Sequence, residues 1–227
     1  MKGRWQLTEE PQSEQWLEKR RVAAVLRRLG ETCLRSDIST DKLAEAAEAL
    51  SRIETELGAQ LGPTFFDALA DGSWEADQGH YADRNPLLGL CNANSPPLFL
   101  RDEGEMTLGQ VEFDYRFEGA PGYVHGGVIS AVFDQLFGSV MIRSERPAMT
   151  GELSVRFLKP TPLKKEILVS GHIVGSEGRR VFCEGEITCD GVTLAEGTCT
   201  MVRIDDERLM KIFDPAKRTR VDGVSGG

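Results

Sequence analysis

Apolar positions in this chain recur first with the period of a helix and then, from about Met106, with the period of a strand. Between about Gln12 and Leu29, Val22, Val25, Leu26 and Leu29 share one stripe while Arg20, Arg27 and Arg28 face elsewhere, which predicts an amphipathic helix. Ser39 or Thr40 caps a second helix with Asp41 in its first turn. Leu43, Ala47, Leu50, Ile53 and Leu57 make its stripe, and Gly58 supplies the stop. The two read as an αα-hairpin over residues 1–60 whose apolar faces need a partner surface. Residues 61–100 lose the period. Gly62-Pro63, Asp71-Gly72, Asn85-Pro86 and Ser95-Pro96-Pro97 mark a connecting segment with room for one short helix over 64–70.

In the strand-like half, Val111, Phe113, Tyr115 and Phe117 alternate with Gln110, Glu112, Asp114 and Arg116, the pattern of a half-buried strand. A Gly/Pro loop follows, and then Val128 to Ile142, apolar on almost every side and therefore expected as a buried helix. Further strand patterns lie at about 148–158, 166–175, 180–189 and 192–204. The last two form a hairpin, because Asp190-Gly191 suits a two-residue type I′ turn. That turn pairs Cys189 with Val192, so Ile187 should face Leu194 and Val181 should face Thr200. One strand, a buried helix and four long strands describe an α+β hotdog fold, a long antiparallel sheet wrapped around a central helix. The domain is expected over residues 101–205, with an N-terminal helical extension and a flexible tail over 206–227.

Charge narrows the function classes. The net charge is −9, which argues against a nucleic-acid partner. Residues 143–180 nevertheless carry eight basic side chains against four acidic ones, a local surplus that suits a small polyanion or reflects solvated strand ends. The N-terminus has no apolar leader, and no apolar run is long enough to span a bilayer, so no membrane span is expected and the compartment is expected to be cytoplasmic. Five cysteines without a CxxC spacing point to reduced thiols, and neither His80 nor His172 has ligand-spaced partners, so no metal is expected.

The chemistry concentrates at the start of the apolar helix. His125-Gly126-Gly127 places paired glycines at a helix N-terminus. There, unpaired N–H groups and the helix dipole suit a developing oxyanion, although the glycines alone are equally explained by tight packing. Asp134 lies seven residues past Gly127, flanked by Phe133, Leu136 and Phe137, where exposure to solvent is not expected. A buried carboxylate needs either an ion-pair partner, for which Arg143 is a candidate, or a catalytic use as general base or nucleophile.

The stretch GAPGYVHGGVISAVFDQLFG, with the later strand MTGELSVRFLKPTPL, resembles the hotdog thioesterases of the phenylacetate-pathway type, with human thioesterase superfamily members two, four and five among their relatives. The resemblance covers roughly residues 85–204, Asn85-Pro86 and Pro96-Pro97 included, and leaves the helical extension uncovered. It implies hydrolysis of an acyl-CoA, or of an acyl-carrier thioester, by Asp134-assisted water attack. It further implies carbonyl polarisation by the backbone at Gly126 and Gly127, His125 supporting that loop, and Thr150 orienting the water. Phe157, Lys159, Gly178, Arg179 and Arg180 are placed as contacts to coenzyme A, which enters as part of the substrate and not as a cofactor. Some relatives carry an Asn six residues before the His; here the position is Gly119. The resemblance also implies a homodimer, or a dimer of dimers, with Asp134 of one chain facing the HGG loop of the other. Two other readings are a non-catalytic acyl-thioester binding module of the same fold and a hotdog dehydratase or hydratase.

Overall fold

In the computed structural model, which describes residues 13–64, 67–68, 82–142 and 148–205, six strands form one antiparallel sheet. They are β1 (Phe99–Glu103), β2 (Met106–Glu112), β3 (Ala148–Phe157), β4 (Glu166–Glu177), β5 (Arg180–Cys189) and β6 (Val192–Arg203), in the spatial order β1-β2-β4-β5-β6-β3. Helices α1 (Glu14–Arg35) and α2 (Thr40–Gly58) precede the sheet, and α3 (Gly126–Ile142) lies against its inner face. This is the hotdog arrangement expected from the element order.

What lets α3 lie so close is a row of glycines. Gly171, Gly185 and Gly197 are register neighbours across β4, β5 and β6. A Cβ on Gly197 would stand 2.5 Å from Phe133, and one on Gly185 would stand 3.2 Å from both Leu136 and Phe137. The row is a groove into which Phe133, Leu136 and Phe137 press, all three fully buried. The rest of the core, including Ile129, Val132, Ile167, Val181, Ile187 and Met201, closes around them.

Three expectations for the strands change in detail. The first strand ends at Glu112 and does not continue to Phe117, because Asp114 accepts from the Arg116 amide at 2.9 Å and turns residues Tyr115–Phe117 into a 3-10 turn. Phe113 stays fully buried and Phe117 packs edge-on against it. Strand β1 begins ahead of the expected domain start and pairs with β2 through a tight turn at Gly104. Its sequence, FLRDE, is largely exposed and charged, so no alternation announced it. The β5–β6 turn is as expected, with positive φ at both Asp190 and Gly191 and Cys189 opposite Val192. One residue on, however, a bulge shifts the register, so Ile187 faces Ala195 and Val181 faces Met201. The bulge frees the Leu194 carbonyl to accept from the Leu158 and Lys159 amides, which anchors the chain leaving β3.

Helix α1 runs on through Gly30 to Arg35 and meets the body with a different face from the one expected. Asp83 is fully buried, and its carboxylate takes donors from Trp16 Nε1 and Arg20 Nε at 2.6 Å each, from the Leu90 amide and from Cys91 Sγ. Arg27 donates to the Leu90 and Asn92 carbonyls. The polar demand of this loop turns Trp16, Arg20, Ala23 and Arg27 inward, and Val22, Val25 and Leu26 outward. The expected helical hairpin does not close either: no residue of α2 is buried. The short helix over 64–70 and the tail beyond Asp205 fall largely or wholly outside the described residues.

Candidate active site

Helix α3 starts where the chain is pinned on both sides. The Val124 amide donates to the Thr161 carbonyl, the His125 amide donates to the Phe117 carbonyl, and the His125 carbonyl accepts the first helical bonds from Val128 and Ile129. The two glycine amides that follow are not equivalent. That of Gly127 donates to His125 Nδ1 at 3.0 Å, which orients the imidazole and uses up the donor. That of Gly126 has no acceptor among the described residues. The Phe157 ring lies beside Gly126, since a Cβ there would meet Phe157 Cζ at 3.4 Å. Gly119 packs against His125 so closely that a Cβ would stand 2.7 Å from His125 Cα; in this backbone no side chain fits at that position.

Asp134 is exposed in the single chain, contrary to the burial expected from its neighbours. Helix α3 buries Phe133, Leu136 and Phe137 against the sheet, while Gly127 and Asp134, seven residues apart, share the flank that faces away. One carboxylate oxygen of Asp134 accepts from Thr150 Oγ1 at 2.6 Å, across to β3. Arg143, the alternative partner, lies outside the described residues. The next side chain, Gln135, accepts from Asn85 Nδ2 at 2.8 Å, while Asn85 Oδ1 takes the Leu87 and Leu88 amides. The Asn85 loop is thus tied to the helix one residue from Asp134, a contact between distant segments that no local pattern betrays.

The expected site residues fall into two groups. His125, Gly126, Gly127, Phe157 and Lys159 lie at one end of β3; Asp134, Thr150, Gly178, Arg179 and Arg180 lie at the other. Arg180 pairs with Val202, beside the Met201 that faces Thr150. Along α3 the rise from Gly126 to Asp134 is about 12 Å, and Thr150 and Phe157 stand about 20 Å apart along the strand. One carbonyl cannot touch both the Gly126 amide and the Asp134 carboxylate of the same chain. Gly178, with φ +55°, forms the β4–β5 turn, and Arg179 folds back to donate twice to the Arg203 carbonyl. Arg180 and Lys159 are exposed.

The cysteines offer no rival nucleophile on the sheet. Burial pushes the Cys183 thiol up to about 11 and the Cys199 thiol up to about 12, where both stay protonated. A depression lined by Glu152, Ser154, Glu184 and Thr198 lies on the outer face of the sheet, opposite α3, and its two carboxylates are unsuited to a polyanion. Among the described residues no cluster of His, Cys, Asp and Glu has the grouping to hold a metal, and no helix is long and apolar enough to cross a membrane.

Comparison with known proteins bears on the same segment. Residues 121–196 match the family model described as the thioesterase superfamily. The chain is 32% identical over 113 residues to mouse acyl-coenzyme A thioesterase THEM4, covering 49% of each, and 29% identical over 89 residues to its Xenopus laevis counterpart, covering 38% of this chain and 40% of that one. It therefore spans about half the length of the curated relatives it matches. The crystal structure of a thioesterase superfamily protein superposes with a TM-score of 0.73 at 27% identity, covering 86% of this chain and 98% of that one. The shared fold reaches beyond the sheet domain into the N-terminal helices.

Proposed function

With residues 121–196 placed as a thioesterase-superfamily domain on a hotdog fold, we propose that the chain is an acyl-CoA thioesterase. Asp134 activates the attacking water. One observation carries the reading: an exposed carboxylate held at 2.6 Å by Thr150, on the helix whose first amide, at Gly126, is left without an acceptor.

The steps follow from these groups. A water bound between Thr150 and the second carboxylate oxygen of Asp134 gives up a proton to Asp134 as its oxygen bonds to the acyl carbon. The carbonyl oxygen takes up negative charge and is met by the Gly126 N–H, with the helix N-terminus behind it; a donor of this kind is worth about 3 kcal/mol of barrier. The C–S bond then breaks, the thiolate takes the proton that Asp134 holds, and the products are a carboxylic acid and the free thiol of coenzyme A. The acyl-CoA class is supported by the mouse relative's activity, and the exposed Arg180 and Lys159 suit the phosphates.

The 12 Å problem is solved by a second chain. Strand β3 is a ten-residue edge of the sheet, bonded to β6 on one side. Antiparallel pairing of two such edges sets the Phe157 end of one chain beside the Thr150 end of the other. The Gly126 amide of one chain then faces the Asp134 of its partner, twice per homodimer, and two dimers can associate further. The reading places the enzyme in the reducing cytoplasm, where its five free thiols persist.

The test is thiol release from a panel of acyl-CoAs. Asp134→Ala should lose at least about a hundredfold in turnover on the best substrate. Full turnover in that variant would discard the mechanism. Gly119, which leaves the oxyanion to backbone alone, favours one second reading, a module that binds acyl-CoA without cleaving it. Tight binding with no thiol release across the panel would establish that one.

A further inference from the structure

Two helical faces stand uncovered among the described residues. On α1, Val22, Val25 and Leu26 are exposed because the opposite face meets the body. On α2, Leu43, Leu50 and Leu57 recur at seven-residue spacing with Ile53 between them, and all four are exposed. That is the seam by which one helix lies along another. A helix of 19 residues with a bare leucine seam is marginal in water on its own.

The character of the two faces says what covers them. Among exposed residues, α1 carries four basic side chains against two acidic ones, and α2 carries five acidic against two basic. The surfaces are both apolar along the seam and opposite in sign beside it, which favours pairing with each other. Their lengths match, at about 33 Å and about 28 Å. Yet within one chain the two helices scarcely touch. The connection leaves α1 and enters α2 in extended backbone, with ψ 131° at Ser36 and ψ 154° at Ser39, and carries α2 away from its own neighbour. An extended hinge between two matching elements that do not meet is the geometry of an exchanged arm. An acidic α2 is also repelled by the anionic lipid surfaces that basic amphipathic helices join.

We infer that α2 of each chain lies along the exposed α1 stripe of a second copy, reciprocally, so that the helical extension is an arm-exchange interface separate from the β3 edge.

The full chain carrying Leu50→Glu with Ile53→Glu tests this by sedimentation. Both positions are exposed in the single chain, so each sheet domain should fold as in the parent, read by its near-UV circular dichroism. The particle mass should fall to half that of the parent, from tetramer to dimer where the β3 edges pair and from dimer to monomer where they do not. A second measurement uses Cys33, exposed at the end of the α1 stripe, with Leu43→Cys or Leu57→Cys on α2 and a short bismaleimide. Links between chains, seen as dimers on a denaturing gel for one of the two variants, are the expected result. Links confined within single chains would mean that α2 covers its own α1, and would overturn the inference. No link together with unchanged mass would overturn it in favour of another occupant of the seam.

Discussion

Thr150 has one proton to give, and it gives it to Asp134. That bond turns a mobile side chain into an aimed one and leaves the hydroxyl lone pairs to receive a water. Thr150→Ala should therefore lower kcat about tenfold or more with little change in KM, and Thr150→Ser should recover most of the loss, read by initial rates on one acyl-CoA. A structural role alone would not be rescued by the smaller hydroxyl. Asp83 allows a different kind of test. Burial works to raise its pKa, but the hydrogen bonds from Arg20, Trp16, Cys91 and the Leu90 amide together outweigh burial and hold the carboxyl below its ordinary value. A group depressed in the folded state stabilises above its unfolded value, about 3.9, and that stability is lost as pH falls through the folded value. Asp83→Asn, which takes the charge from the buried acceptor of the Arg20 and Trp16 hydrogen bonds, should cost about 3–5 kcal/mol at neutral pH. Thermal melts should show the gap to the parent narrowing below about pH 4. At this scale the sequence was half legible. A lone Asp in an apolar helix is conspicuous, but its apolar neighbours do not bury it in the single chain. Helical phase puts Asp134 on the flank that the sheet leaves open, and phase against a sheet is a tertiary quantity. Nor does spacing tell that His125 takes the Gly127 amide and leaves that of Gly126.

Elements were legible wherever the period was long and uniform. Strands β3 to β6, the Asp190-Gly191 turn and the buried helix all follow from apolar periodicity and turn chemistry. The misses share a cause: tertiary contacts overrode a local pattern. The bulge at Leu194, the 3-10 turn after Asp114 and the face of α1 chosen by Asp83 each satisfy a polar group that the sequence does not place in space. The glycine row across β4, β5 and β6 was visible as three residues but not as one groove, because it exists only in register. Gly197→Ala puts a methyl 2.5 Å from Phe133 at the centre of that groove. It should destabilise by about 1–3 kcal/mol through overpacking, seen as a lower Tm, and it should do so more than an alanine at Gly175, whose nearest neighbour is 4.0 Å away.

At the scale of the whole molecule, the proposed activity turns on the separation of two half-sites along β3. In the proposed mechanism each chain supplies an oxyanion donor at one end and a base at the other, and no rotamer bridges the roughly 12 Å along α3 between them. Gly126 opens its helix, the position where proline is tolerated because its missing N–H serves no helical bond. Gly126→Pro should therefore remove the donor, lower turnover by about a hundredfold to a thousandfold and leave the fold intact. The most direct measurement is the thiol-release rate of Gly126→Pro and Asp134→Ala chains unfolded and refolded together at equal concentration. Random pairing makes half the dimers mixed, each with one intact site, so the mixture should recover about a quarter of the parent rate although each variant alone keeps about a hundredth of it or less. A mixture no faster than the two variants measured apart would contradict a site shared between chains.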